Sequence, residues 1–226
     1  ERSWVFSCVG PQSGAVVKEN LNQTLGQHSF GVTPGAVILD SKRENSVSEK
    51  MHIRMDREQT HIILGYRGLN WANKNRPALD VAVNILGGQG GRLFTNLREK
   101  QSLAYSVTPL VSYGVLNGAV AGYIACSKDK ADVALEMMQN EFTELSRNLP
   151  TRVEVARAKN YLIGQHEMDM QKPDSQSMTM GLMELYGVGY DDFIKYIPSE
   201  LSDSEKEEVY NIIKPSISET NNPKDG

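Results

Sequence analysis

Arg98 and Tyr105 stand seven residues apart in the segment GGRLFTNLREKQSLAYSV, which runs from Gly90 to Val107. The pattern predicts that Arg98 lies at the end of a short helix and that Tyr105 lies on the strand that follows. Both side chains donate hydrogen bonds, the guanidinium as a permanent cation and the phenol as a neutral group. Considered alone, such an arginine is more often solvated, and a strand tyrosine more often packs its ring inside the fold. The two residues therefore indicate a site only if the rest of the sequence provides a context.

Other motifs that carry chemistry are incomplete in this sequence. A helix-borne zinc site needs two histidines four positions apart, and no two of the four histidines have that spacing: His28, His52, His61 and His166. The stretch HEMDM lacks the second imidazole, which favours a solvent-facing His166. GGQGG, at 87–91, could cradle a phosphate through its backbone amides, but it fits neither GxGxxG nor GxxxxGK, and a helix C-cap followed by a flexible turn is the simpler interpretation. No G-x-S-x-G elbow of a serine hydrolase is present.

The composition excludes several classes of protein. The chain has 226 residues, 39% hydrophobic and 23% charged, which is enough for one large domain or two small ones with a sizeable core. Its formal net charge of -4 and its pI near 5.7 provide no basic stripe for nucleic acid or for an anionic membrane surface. The longest apolar run, at about 118–126, is too short to cross a bilayer. We therefore expect neither nucleic acid nor a membrane as a partner.

Cys8 and Cys126 are the only cysteines, and each lies within an apolar, strand-like run. They are far apart and can build neither a disulfide framework nor a CxxC metal site. We expect both thiols to be buried. Lone thiols fit reducing and oxidising compartments equally well, so the compartment stays open.

Apolar periodicity and capping residues predict the order of the secondary-structure elements. Spacing by three and four indicates helices, and β-branched or alternating runs indicate strands. Two capping boxes, Thr151–Glu154 and Ser202–Glu205, mark helix starts, and Asn75 with Pro77 marks another. The predicted helices lie at about 17–25, 75–86, 93–97, 129–149, 151–170 and from 173 onwards, and the predicted strands at 4–10, 51–55, 60–66, 103–111 and 114–126. The run 60–66 is predicted to be a central strand, and the last two strands are predicted to form a hairpin.

This order predicts an α+β fold, with a mixed, mostly antiparallel sheet and helices packed mainly on one face. Residues 29–50 are rich in Gly, Pro, Ser and Asn, which predicts an irregular connection. Residues 216–226 have almost no apolar side chain, which predicts a mobile tail.

Two stretches, EQTHIILGYRG from Glu58 and ILGGQGGRLFTNLREKQSLAYSV from Ile85, together resemble the second-domain signature of the M16 peptidases, the pitrilysin/insulinase family of inverted-motif zinc metallopeptidases. The resemblance covers the order of elements from about Glu58 to Pro215. In that family a zinc-binding domain with an H-x-x-E-H motif faces a zinc-free domain across a chamber, within one chain or between subunits. This sequence contains no H-x-x-E-H. It therefore resembles the zinc-free half, with zinc in the opposing domain and none in this chain.

The resemblance implies roles for Arg98 and Tyr105, which match the family's arginine and tyrosine by motif and spacing. A phenol is protonated at neutral pH, so Tyr105 is expected to donate a hydrogen bond to the carbonyl oxygen on which negative charge builds. Arg98 is expected to hold peptide carbonyls and to position the peptide substrate. The loop is expected to pass close to substrate through four glycines: Gly87, Gly88, Gly90 and Gly91. The same fold also serves without proteolysis as a scaffold in core subunits of some respiratory complexes, and that alternative stays open.

The two ends of the chain depart from the family's pattern. Family domains finish with a strand after the last helix, whereas here Lys214-Pro215 leads into a polar tail, and SWVFSCVGPQ at 3–12 resembles such a closing strand. We therefore expect 1–28 to resemble the end of a preceding domain, 29–50 to connect, 51–215 to form the M16-type domain and 216–226 to form the tail. The chain is then expected to be a C-terminal fragment or a split product. Trp4 to Val9 is expected either to fill the vacant place in its own sheet or to pair with another molecule in a dimer.

Overall fold

The structure, a computed structural model, describes residues 5–27 and 50–191. In chain order the described elements are α1 (Gly14–Leu25), β1 (Gln59–Gly68), α2 (Arg76–Leu86), a π-helix (Phe94–Lys100), β2 (Ala104–Ser112), β3 (Gly118–Ser127), a short 3-10 helix (Lys128–Lys130), α3 (Ala131–Arg147), α4 (Arg152–Asp169) and α5 (Pro173–Leu185). The chain divides into two compact units. Their described parts are residues 50–164, the larger unit, and residues 5–27 with 165–191, the smaller unit.

The three described strands form one antiparallel sheet in the order β1-β3-β2. β3 is the central strand, because β1 pairs with one of its edges along the whole length of both strands and β2 pairs with the other edge. Among the described strands β1 therefore lies at an edge, and the predicted central position of 60–66 is not found there. A β-branched composition indicates a strand but does not indicate on how many edges the strand pairs. The predicted strand at 51–55 is wrong, since its alternating side chains are exposed and it joins no described ladder.

The described helices of the larger unit pack mainly on one face of the sheet. Burial alternates residue by residue along β1, and β3 buries Val120 and Ile124 on the covered face. Met138 and Phe142 of α3 are fully buried in the same core. A Cβ atom at Gly122 would lie 2.6 Å from Met138 Sδ and 2.9 Å from the Phe142 ring. The close packing of α3 against β3 at this point therefore depends on glycine at position 122. The prediction of an α+β fold with an antiparallel sheet and helices mainly on one face is confirmed.

Local capping signals define the helices of the larger unit. α2 begins after Asn75, carries Pro77 in its first turn and ends before Gly87, as predicted. α4 begins with a capping box, in which the Thr151 N–H donates to the Glu154 carboxylate at 2.8 Å and the Glu154 N–H donates to Thr151 Oγ1 at 3.3 Å. These bonds satisfy amides that the first turn of a helix leaves without intrahelical acceptors. Both predicted helix starts are confirmed.

The smaller unit contains α1 and α5. α1 is capped by Ser13, whose hydroxyl accepts a hydrogen bond from the Val16 N–H at 3.4 Å, and it ends at Gly26 as predicted. Residues 5–9 form no strand, so the predicted strand at 4–10 is wrong over these residues. An apolar run becomes a strand only where a neighbour completes its ladder of hydrogen bonds. Pairing with another molecule stays a prediction, and Trp4 lies outside the described residues.

The two thiols differ in their exposure. Cys8 is exposed, against the prediction, and Cys126 on β3 is buried, as predicted. Cys8 precedes α1 in a segment without ladder partners, whereas Cys126 lies on the covered face of the central strand.

Several predictions fall wholly or partly on residues that the structure does not describe: the capping box Ser202–Glu205, the tail 216–226 and nearly all of the connection 29–50. The predicted domain boundaries therefore stay predictions. Within the two described ranges, no helix combines the length and the apolar character that crossing a bilayer demands.

Candidate functional site

The π-helix presents Arg98 to solvent. Leu93 and Leu97 are fully buried and anchor this helix in the core of the larger unit. Arg98 is exposed, and its guanidinium carbon lies 5.0 Å from the centre of the Phe94 ring, which is a cation–π distance. π-Helical turns occur frequently at functional sites. The cation therefore stands on the solvent side of a helix that the core holds in place.

Tyr105 is the extra residue of a β-bulge in β2. Ala104 pairs with Cys126 and Ser106 pairs with Ala125, so Tyr105 has no partner residue on β3. A bulge re-aims a side chain and bends the strand, and bulges are over-represented beside active sites. The Tyr105 side chain is 61% exposed. It therefore does not pack its ring inside the fold, which was the alternative interpretation of a strand tyrosine.

A three-residue turn separates the helix of Arg98 from the strand of Tyr105. Its middle residue, Ser102, has a φ of 49°, a left-handed conformation that costs a non-glycine residue about 1–3 kcal/mol. Two hydrogen bonds hold the turn: the Leu103 N–H donates to the Leu97 carbonyl at 2.8 Å, and the Ser102 N–H donates to the Arg98 carbonyl at 3.1 Å. The structure thus places the two candidate residues on either side of one hydrogen-bonded turn.

Local geometry favours glycine at the four positions of the predicted loop for different reasons. Gly88 has a φ of 71°, a conformation that side chains rarely adopt. A Cβ atom at Gly90 would lie 2.6 Å from Arg157 Nη1, and one at Gly91 would overlap the Gly87 carbonyl. Gly88 and Gly90 are exposed, Gly87 is half-buried and Gly91 is buried. Backbone conformation at Gly88 and close contacts at the other positions favour glycine without any substrate, and contact with substrate stays a prediction.

An open pocket of about 410 Å³ lies beside this loop and is lined with polar side chains. Arg92 crosses it, with Nε donating to Glu154 Oε1 at 2.6 Å and Nη2 donating to Glu154 Oε2 at 3.1 Å. Asn96 Nδ2 donates to Glu141 Oε1 at 2.6 Å. Polar contacts with α4 and α3 therefore hold the chain at Arg92 and along the first turn of the π-helix.

Two of the three carboxyl groups that line this pocket, those of Glu154 and Glu141, have pKa values shifted in opposite directions. Hydrogen bonds from Arg92, aided by those from Thr151, lower the pKa of Glu154 to about 2. Burial raises the pKa of Glu141, and its neutral partner Asn96 offsets that effect only in part. The sequence identified Glu154 only as a helix cap. It missed Arg92 altogether, because an ion pair between residues 62 apart leaves no local pattern.

The histidines do not converge on a metal site. Within residues 5–27 and 50–191, no three His, Cys, Asp or Glu side chains are grouped so that they could hold a metal ion. His61 Nδ1 lies 2.8 Å from the Tyr123 hydroxyl, and His166 is half-buried on α4. The described residues therefore do not fit a resident zinc ion.

Comparison with known sequences places this geometry in a family. Residues 5–162 match a family described as the peptidase M16 inactive domain. An uncharacterised zinc protease of Mycobacterium tuberculosis is 30% identical over 177 residues, and the match covers 76% of this chain and 39% of that protein. The chain therefore spans well under half the length of this relative.

Solved structures share the fold at low sequence identity. A peptidase M16 inactive domain from Pseudomonas fluorescens superposes with a TM-score of 0.61 at 24% identity, covering 69% of this chain and 37% of that chain. A protease from Helicobacter pylori superposes with a TM-score of 0.73 at 16% identity, covering 90% of this chain and 50% of that chain. At these identities the likeness shows the fold.

Proposed function

The chain belongs to the M16 peptidase family as one of its inactive domains, and from that premise we propose that it is the zinc-free, substrate-binding half of a zinc endopeptidase. In this proposal the chain is inactive alone and works opposite a zinc-bearing M16 domain, in the same protein or in another subunit. Its substrates are peptides. The name zinc protease, which the mycobacterial relative bears, supports the reaction class.

The proposal rests on one observation above all, the exposure of Arg98 and Tyr105 on either side of the Ser102 turn. A fold that used these side chains for packing would bury them. The turn and the bulge are both backbone irregularities, and irregular or strained backbone is concentrated at functional sites. Exposure and irregular backbone together favour a binding or catalytic role over a structural one.

Tyr105 is proposed to act on the scissile carbonyl. A zinc ion held by the opposing domain would supply an activated water molecule and polarise that carbonyl. Tyr105 then donates a hydrogen bond from its neutral phenol to the carbonyl oxygen, where negative charge builds during attack. Because the phenol is neutral, it stabilises this charge without adding a second cation to the site. Removal of one such donor typically costs about 3 kcal/mol of barrier.

Arg98 is proposed to position the peptide. Its guanidinium is permanently charged and presents a planar set of donors that fits backbone carbonyls near the bond to be cut. The exposed backbone at Gly88, whose Cβ position has no heavy atom within 4 Å, lies in the loop that leads to the π-helix and offers peptide groups that no side chain shields. Together they give the substrate a polar track, and correct placement of reacting groups lowers the barrier.

The test is Tyr105→Phe in the complete enzyme, with the zinc-bearing domain present and peptide turnover as the readout. We expect kcat to fall about 100-fold with little change in KM, because the lost bond forms mainly in the transition state. Tyr161→Phe is the matched control, since Tyr161 on α4 is 59% exposed and outside the site. Unchanged turnover in Tyr105→Phe would argue against the role, whereas absence of turnover in the wild-type assembly would favour a non-proteolytic scaffold. Finding an H-x-x-E-H motif in the partner domain is the complementary check.

A further inference from the structure

We infer that Arg92 and Glu154 are a positioning pair, which fixes the start of the π-helix on the first turn of α4 and thereby sets where Arg98 is presented. The inference rests on the proposed role of Arg98. In this role the pair itself makes no contact with substrate. The sequence pattern alone indicates a function for neither residue.

The ion pair joins Arg92 and Glu154 at two points. Both carboxylate oxygens of Glu154 accept from the Arg92 fork, at 2.6 and 3.1 Å, and the two side chains are only 18% and 22% exposed. A two-point arginine–carboxylate contact fixes orientation as well as distance. Glu154 is itself held by the backbone N–H and the hydroxyl of Thr151, both at 2.8 Å. Arg92 is therefore attached to a carboxylate that the helix start immobilises.

The side chains around the π-helix face either the rest of the protein or solvent. Leu93 and Leu97 enter the core, while Arg92 and Asn96 contact α4 and α3 through Glu154 and Glu141. Arg98, six residues after Arg92, is left for solvent. With apolar anchors and two polar ties in place, the helix can neither turn about its axis nor slide without breaking a contact. The position of the Arg98 side chain therefore depends on the tie at Arg92.

Four glycines precede Arg92 within residues 87–91. They carry no side chains with which the segment could fix itself, and glycine loses more conformational freedom on folding than any other residue. Arg157, one turn after Glu154 on α4, donates from Nη2 to the Ile85 carbonyl at 3.3 Å, at the end of α2. The same guanidinium packs against Gly90. Glu154 and Arg157 thus hold the glycine-rich segment from its two ends.

The test is a double-mutant cycle on kcat/KM in the complete enzyme, combining Glu154→Gln with Arg98→Ala. Glu154→Gln removes the charge and keeps the shape of the side chain. We expect it to lower kcat/KM about tenfold or more when Arg98 is present, as a small misplacement of a positioning group does. In the Arg98→Ala background we expect the same change to cost less than about twofold, because residues that act as a unit are not additive. A purely structural role would give equal losses in both backgrounds.

Two further variants complete the design. Arg92→Lys keeps the charge but loses the forked, two-point contact. We expect a smaller loss of kcat/KM than for Glu154→Gln, and we expect this loss also to disappear in the Arg98→Ala background. Arg92→Lys replaces Glu154→Gln in the cycle if that variant does not fold. Asp169→Asn is the control, because Asp169 pairs with Lys172 at 3.6 Å on the exposed surface at the other end of α4. Equal losses with and without Arg98 would overturn the inference while leaving the proposed function intact. If Arg98→Ala alone leaves turnover unchanged, the role of Arg98 fails and the inference falls with it.

Discussion

Replacing Glu154 by Gln should destabilise the folded chain at neutral pH through the loss of its ion pair with Arg92. The Arg92 hydrogen bonds, together with those from Thr151, lower the Glu154 pKa from 4.5 to about 2, a difference that corresponds to about 3 kcal/mol at 1.36 kcal/mol per pKa unit. The two side chains keep 18% and 22% of their surface exposed, so solvent screening reduces this value. We expect a loss of about 2 kcal/mol in the free energy of unfolding at pH 7.

The sign of the pH dependence follows from the direction of the pKa change. Because the pKa of Glu154 is lower in the folded chain than in the unfolded chain, its carboxylate contributes fully above about pH 5. The contribution declines as the pH falls through 4.5 towards 2. The stability gap between wild type and Glu154→Gln should therefore be nearly equal at pH 7 and 5, and less than half as large at pH 3. Glu141, whose pKa burial raises, titrates in both proteins and to first order cancels in the difference.

Urea denaturation followed by circular dichroism at these three pH values measures the gap directly. Asp169→Asn serves as the control, because its ion pair with Lys172 is exposed, at 37% and 57% of the side-chain surface, and such surface changes stay within about 0.5 kcal/mol. A stability difference below about 0.5 kcal/mol at pH 7 would mean that Glu154 contributes no more than an exposed surface residue. A gap of full size at pH 3 would show that the variant loses packing rather than charge, and either result refutes the reasoning.

Two further predictions follow from packing and exposure. Gly122→Ala should lower the stability of the fold by about 1–3 kcal/mol, because its Cβ would meet Met138 at 2.6 Å. Gly164→Ala, whose Cβ would have nothing within 4 Å, should be neutral or stabilising. Equal shifts in melting temperature for the two variants would contradict this. Exposed Cys8 should react with a thiol reagent in the native chain, while Cys126, buried and with a pKa raised by desolvation, should react only after unfolding. Mass spectrometry of the labelled chain identifies the site, and native labelling of Cys126 would be the contrary result.

The helices were predictable because their signals are local. Asn75 and Pro77 mark the start of α2, and Thr151 with Glu154 marks the start of α4, all within one turn of the residues they cap. Capping is a contact between residues two or three positions apart, so the sequence displays it directly. The period of the apolar residues then indicates which face enters the core.

The strands and the site were only partly predictable because their contacts are distant in sequence. The composition of β1 does not indicate that it lies at an edge among the described strands, and the apolar run at residues 5–9 needs a partner that the described chain does not supply. Arg98 and Tyr105 were found through a family pattern. The ion pair of Arg92 with Glu154 was not found, since it joins residues that only folding brings together.

The bulge at Tyr105 allows the residues on both sides of it to pack against the core. The residues of β2 that pack against the core include Ala104 and Val107, three positions apart, whereas a regular strand would place core residues two or four apart. The extra residue between Ala104 and Ser106 absorbs the odd position. Without it, a shift of register by one residue would turn Val107 to solvent and Ser106 into the core. The exposure of Tyr105 is therefore coupled to the packing of the residues on both sides of it, and the phenol stands on a strand held by the core and not on a free loop.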